Sequence, residues 1–282
     1  MPVAWATMCI QHTAANAAVL DMCVTSIASL LITSVVTPDV VVLLDDLAYD
    51  AIGNTLRNRS HVLPLRASPV HHDAAALRLP KWATPRRIAN RKVTIPRHVL
   101  ALYKMQVWRL VEYDSIVYFD TDVLFLRDAS VLMTHSQAFA AIALRRIDSV
   151  VACKGDMYLN AGVMKLKPSH TAYHTLRATL LANNYTDCGG EPLTDQDVVR
   201  QLAFSTNALG PFHQWPLCFN YRGWPNQRRC LLGEGPMLSH QERRLWPTSV
   251  RAATGKYVAT VGLARMGLLC ESTRLGCSRS SW

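Results

Sequence analysis

Hydrophobic and polar positions fall into blocks along this chain, and the blocks have two characters. Short runs of consecutive apolar, β-prone residues occur at Val3 to Ile10, Val40 to Leu44 and Ile116 to Phe119. Such runs predict strands buried on both faces, as in a parallel sheet. Between the first two, residues 15–33 place apolar side chains at Val19, Met22, Cys23, Ile27, Leu30 and Leu31, and Pro38 ends the run. That spacing predicts a helix. Strand, helix, strand at this length is a βαβ unit with a right-handed crossover. Its first loop, Gln11 to Ala14, then lies at the carboxyl end of the first strand, where open α/β sheets bind ligands.

The alternation continues. The pattern predicts a helix over 51–59, a strand from His61 to Leu65, and a helix from Arg97 to Glu112 through Val99, Leu100, Tyr103, Val107, Leu110 and Val111. Lys104 lies in that helix beside Tyr103 and Val107, where a lysine ordinarily snorkels to solvent. A short helix over 129–134 and a strand from Ala138 to Ala143 follow. Met157 to Lys167 reads as a strand interrupted by Asn160 and Gly162. A glycine there signals a bulge or a close approach of backbone or ligand. Helices are predicted over 169–183 and Leu193 to Ala203, the second opening on Thr194-Asp195-Gln196-Asp197, acids that suit a helix dipole. A late strand from Gly235 to Ser239 runs up to His240, and the aromatic stretch Trp215 to Tyr221 reads as a pocket wall. The fold class is therefore α/β with a mostly parallel central sheet.

Composition narrows the class. Half of the 282 residues are hydrophobic and only 18% are charged, which excludes a disordered chain. The net charge of +10 suits an anionic partner: nucleic acid, membrane, acidic acceptor or phosphate-bearing donor. Much of it lies in the proline-punctuated segment 66–96, which carries Arg66, Arg78, Lys81, Arg86, Arg87, Arg91 and Lys92, and in a basic tail over 248–282. The eight cysteines include no C-x-x-C pair, which argues against structural zinc, and Cys9 and Cys23 read as small core residues. This leans towards a reducing, cytoplasmic setting. A chain trimmed of an upstream anchor, facing the Golgi lumen, would read the same. No stretch reads as a membrane span.

The candidate chemistry sits at Tyr113 to Asp128, YDSIVYFDTDVLFLRD, where a buried strand stops at Asp120-Thr121-Asp122. Two carboxylates at the end of a buried strand are costly unless their charge is compensated, and a divalent cation compensates it. Positions i and i+2 on a strand share a face, so both can address one ion. Oxygen ligands favour Mg²⁺ or Mn²⁺, which commonly hold nucleotide phosphates.

At this point several motifs in one order matter: LYKMQVWRLVEYDSIVYFDTD at 102–122, YLNAGVMKLKPS at 158–169, TDQD at 194–197, WPLCFNY at 215–221 and LSH at 238–240. Together the chain resembles a glycogenin-like glycosyltransferase (glycosyltransferase family 8) over roughly residues 3–246. The resemblance implies a single Rossmann-like nucleotide-diphospho-sugar transferase domain over 1–247, a UDP-sugar donor and Mn²⁺. It makes Asp120, Asp122 and His240 the metal ligands and Lys104 a donor contact. Asn160, Ala161 and Gly162 approach the sugar and ribose, and Asp195 and Gln196 lie beside the anomeric carbon. His12, Thr13 and Ala14 hold uracil and ribose, with Tyr118 and Thr121 also in the donor-binding set. The chain departs from the family after His240, where Arg243 or Arg244 stands in for the usual phosphate-contacting lysine. Arg97 is the nearest counterpart of the arginine ahead of the DxD helix, at a different spacing. Asp187 competes with Asp195 for the acidic role near the sugar.

The expected function is retaining transfer of a hexosyl group, glucose or galactose, to a glycan, protein, lipid or polyol hydroxyl. Nucleic acid is not an expected partner, and a homodimer is left open. The alternatives are a non-catalytic polyanion or nucleic-acid binder, whose binding would weaken steeply with salt, and a UDP-sugar-binding protein without transfer activity.

Overall fold

The computed structural model describes residues 2–11, 17–67, 103–125, 128–134, 136–145, 157–182, 195–206, 208–215 and 237–239. In chain order these form β1 (Val3–Cys9), α1 (Ala17–Thr33), β2 (Val40–Leu44), α2 (Asp46–Arg57) and β3 (Val62–Arg66). A helical segment over 103–109 follows and closes as a 3₁₀ turn at Gln106–Arg109. Next come β4 (Ser115–Phe119), β5 (Val123–Phe125), α3 (Val131–Thr134), β6 (Phe139–Arg145), β7 (Met157–Leu166), α4 (His170–Ala182) and α5 (Asp195–Gln201). A π-helical turn at Leu202–Thr206, β8 (Phe212–Gln214) and β9 (Met237–Ser239) complete the described residues.

Seven strands form one sheet in the order β3-β2-β1-β4-β7-β6-β8. The pairs β3–β2, β2–β1, β1–β4 and β6–β8 are parallel; β4–β7 and β6–β7 are antiparallel, so β7 alone runs against the rest. The mostly parallel sheet expected from the apolar runs is what forms. Alternate residues of each central strand feed two cores. Ala4, Ala6, Val41, Leu43, Ile116 and Tyr118 face the 103–109 segment, α4 and α5. Trp5, Cys9, Val40, Val42, Val117 and Phe119 face α1, α2 and α3. On that second face Trp5, Phe119 and Phe125 meet edge-on, with ring centres 5.1 to 6.0 Å apart.

Several expectations need correction. The helix predicted over 51–59 begins at Asp46, because Asp45 caps it: Ala48 N–H donates to Asp45 Oδ1 at 2.9 Å. The helix predicted to reach Glu112 stops at Arg109. The carbonyl of Trp108, which a fourth turn would need, accepts instead from Ser169 N–H at 2.9 Å. Arg66 belongs to β3, where its guanidinium pairs with Asp46 and Asp50 of α2 at 2.8 and 2.6 Å and lies over the Tyr49 ring. Trp215 is not a pocket wall; it is buried in the second core, its backbone N–H donating to Ala141 O at 2.9 Å. Cys9 and Cys23, read as separate small core residues, form a disulfide joining β1 to α1, with Cα atoms 5.8 Å apart. No helix among the described residues is long and apolar enough to cross a membrane. β3 is the outer strand on one side, and Pro64 sits within it, opposite Val42 of β2.

Candidate active site

β4 ends at Phe119 and the chain turns at once, with Val123 N–H donating to Asp120 O at 3.1 Å. Asp120, Thr121 and Asp122 ride on this turn, each partly exposed, beyond a strand whose last four residues are buried. The two aspartates are thus brought together by a turn and not by the i, i+2 alternation of a strand. Beyond it, β5 leans on α1: Ser26 Oγ donates to Val123 O at 2.6 Å and Phe125 N–H donates to Ser29 Oγ at 3.0 Å. The other side of β5 pairs with β9, placing Ser239 opposite Val123. His240 lies outside the described residues, as do His12, Thr13, Ala14, Arg97, Asp187, Arg243, Arg244, residues 216–221, residues 68–100 and the tail 248–282.

Asp120 is held from several directions. Its N–H donates to Gly162 O at 2.8 Å, and its Oδ1 accepts from the Tyr118 hydroxyl at 2.6 Å. The same Oδ1 lies 2.9 Å from Lys104 Nζ. Lys104 is itself paired with Asp195, the first residue of α5, and donates to Ala161 O at 3.3 Å. Its ammonium also sits 5.0 Å from the centre of the Tyr118 ring, within cation–π range. The Lys104 side chain is only 4% exposed, so it does not snorkel. It is drawn inward because two carboxylates and a carbonyl surround its head.

The Gly162 carbonyl meets Asp120 as the next step of the antiparallel β4–β7 register, and on its other side β7 bulges against β6. Its pairing with β6 steps from Ala141↔Met164 to Ile142↔Asn160, leaving residues 161–163 without partners on β6. Asn160 closes the bulge by accepting Gly162 N–H on Oδ1 at 2.9 Å. The interruption legible in the sequence is therefore both a bulge and a close backbone approach. Gln196, next to Asp195, has a buried Oε1 that meets no hydrogen-bond donor among the described residues.

The electrostatics are unbalanced. Burial alone would depress the Lys104 pKa, but Asp120 and Asp195 outweigh it and hold the ammonium above its ordinary value. Asp120 is nonetheless pushed up to about 6: burial raises it most, Lys104 opposes, and Asp122 and Asp195 raise it further. Both partners shift upward, Lys104 because two acids face it and Asp120 because burial outweighs the single lysine. Burial, then Asp120, holds the Tyr118 hydroxyl well above its usual value, so it stays a donor. Among the described residues the cluster gathers three carboxylates, Asp120, Asp122 and Asp195, around one ammonium. Asp120 and Asp122 offer the hard oxygens a divalent cation takes. Among the described residues no group of three His, Cys, Asp or Glu side chains is arranged to hold a metal.

No protein-family model matches the chain, and no curated protein matches it in sequence. Solved structures do. The galactosyltransferase LgtC, crystallised with donor and acceptor sugar analogues, is 18% identical with a TM-score of 0.52, over 85% of this chain and 87% of that one. Mouse xyloside xylosyltransferase 1 is 14% identical with a TM-score of 0.54, over 88% of this chain and all of that one. The chain shares its fold with these two transferases. At that identity the likeness concerns the fold alone: the α/β architecture with a mostly parallel sheet that the sequence pattern had anticipated, and the Rossmann-like form that the resemblance implied.

Sequence reasoning understated two residues. The residue pattern alone read Asp195 as an ordinary helix-dipole partner and the resemblance put it beside the anomeric carbon; the structure adds that it shares Lys104 with Asp120. Tyr118 was grouped with donor-contacting residues, whereas its buried hydroxyl is spent on Asp120. A hydroxyl two positions before an aspartate at a strand end was the signal available for that pairing.

Proposed function

We propose that the chain is a glycosyltransferase that moves a hexosyl group from a UDP-sugar to an acceptor hydroxyl with retention of anomeric configuration. The supporting observation is the buried Lys104 ammonium, held between Asp120 and Asp195 beside the Ala161–Gly162 bulge at the carboxyl end of β4. Ligands of open α/β sheets bind at such strand ends. Transfer breaks the bond between the anomeric carbon and the donor's phosphate oxygen and forms one to the acceptor oxygen, whose proton passes to the leaving diphosphate. Lys104 brings positive charge to the diphosphate as its negative charge grows. Asp195 and Gln196 stabilise the oxocarbenium-like sugar, Gln196 through a buried carbonyl that meets no donor among the described residues. Tyr118 and the Gly162 carbonyl fix the orientation of Asp120. Asp120 and Asp122 would hold Mn²⁺ or Mg²⁺, with His240 completing the set, since β9 ends one residue earlier beside Val123. When bound, that ion neutralises the leaving diphosphate.

A thermal-shift screen of UDP-sugars with and without Mn²⁺ tests this. A UDP-hexose should raise the melting temperature by several degrees only with Mn²⁺, and Asp122→Asn should abolish the rise while leaving the unliganded transition in place. Equal shifts without metal, or in the variant, would overturn the metal assignment. A metal-dependent shift without UDP release in the presence of any acceptor would favour a binding protein over an enzyme.

A further inference from the structure

A second concave site lies on the first core face, between the 103–109 segment and α4. It is a cleft of about 550 Å³, within the range that holds small ligands, lined by Arg109, His170, Tyr173, His174 and Arg177. Four of the five come from α4 at the i, i+3, i+4 and i+7 positions, which share one helix face. None of the five is acidic, and α4 reads HTAYHTLRATLLA without a carboxylate.

The cleft is organised before any ligand arrives. Arg109 Nη1 donates to Gln106 Oε1 at 2.8 Å, and its guanidinium lies 5.5 Å from the Tyr173 ring centre. Gln106 Nε2 in turn donates to the Tyr173 hydroxyl at 3.4 Å. The His174 ring meets Tyr173 edge-on at 5.2 Å. An arginine anchored by one nitrogen and a ring face keeps its planar fork fixed, which suits bidentate recognition of an oxyanion.

The cleft is distinct from the Lys104 cluster. Lys104 and Arg109 are five residues apart in one helical segment, about 8–10 Å along its axis. Ser169, just ahead of α4, bonds to Trp108, and Leu166 pairs with Ile116 near the amino end of β4. Asp120 leaves the opposite end of that strand.

We propose that this cleft is an oxyanion site for a phosphate group on a small ligand, remote from the sugar-donor site. Arg109 and Arg177 supply permanent charge, and His170 and His174 supply ring nitrogens at its rim. The site does not depend on the transferase reading, and its test does not use activity.

Isothermal titration with inorganic pyrophosphate, and separately with glucose 1-phosphate, should be run in EDTA on the full chain. Saturable binding is expected to at least one of them. Pyrophosphate alone would mark a free anion; both would mark a phosphate ester as well. Arg109→Gln should weaken binding about tenfold, the loss of one charge-assisted contact. His174→Gln, at an exposed position, should weaken it severalfold and serves if the arginine variant does not fold. Asp122→Asn should leave it unchanged. Absence of saturable binding, or binding that survives both cleft substitutions or falls in Asp122→Asn, would overturn the assignment.

Discussion

The two halves of the sheet are built by different rules. From β3 to β4 the strands are parallel, and β1, β2 and β4 are buried almost throughout and nearly all apolar. Next to β4 the direction reverses for one strand, β7, which carries Asn160, Lys165 and a bulge into the interior. The first half supplies a floor whose strands all end on one side. The second supplies chemistry, because an antiparallel strand passes the carboxyl end of β4 with its middle and not with its tip. That is how the carbonyls of Ala161 and Gly162 come to meet Lys104 and Asp120. A parallel neighbour would have ended there in a loop.

If this division holds, damage to the two halves should separate. Trp5→Ala, in the aromatic cluster of the parallel half, should cost about 3–5 kcal/mol of stability in urea unfolding. The folded fraction should bind UDP-sugar as before; a large affinity loss would show that the halves are not independent. Asn160→Ala strands the buried Gly162 N–H and should cost about 1–3 kcal/mol. It should also weaken donor binding beyond what the stability loss explains, and unaltered affinity would remove the bulge from the site. The smallest effect concerns Asp120 in metal-free protein. Its folded-state pKa is raised to about 6, mainly by burial, so its contribution to stability is fullest below its ordinary value of 3.8 and is lost as pH rises through about 6. Asp120→Asn should therefore gain on the unsubstituted protein between about pH 4 and 6.5, by about 1–2 kcal/mol, allowing for the partial exposure of the carboxylate. A flat difference across that window would mean that the acid excess is relieved in another way.

The same division governs what could be read from the chain. β1, β2 and β4 announce themselves because continuous apolar runs have few other uses, and their predicted bounds fall within a residue of the observed ones. The DxD turn was visible because two acids so close to a buried strand need a reason. What escaped was whatever depended on partners distant in sequence. The early end of the 103–109 segment is imposed by Ser169, some sixty positions on. The burial of Lys104 is imposed by Asp120 and Asp195, neither of which its neighbours foreshadow. Cys9 and Cys23 looked apolar because they are buried; only the approach of α1 to β1 joins them. The Arg109 cleft left no motif, since its residues are ordinary until a helix face and a 3₁₀ turn meet.

Pro64 has a consequence for how these molecules behave in a crowd. Among the described strands β3 is the outer one of the parallel half, and Pro64 within it lacks the amide hydrogen that an incoming strand would need. A neighbouring copy cannot zip continuously onto that border of the sheet, so concentrated protein is guarded there against runaway association by one imino acid.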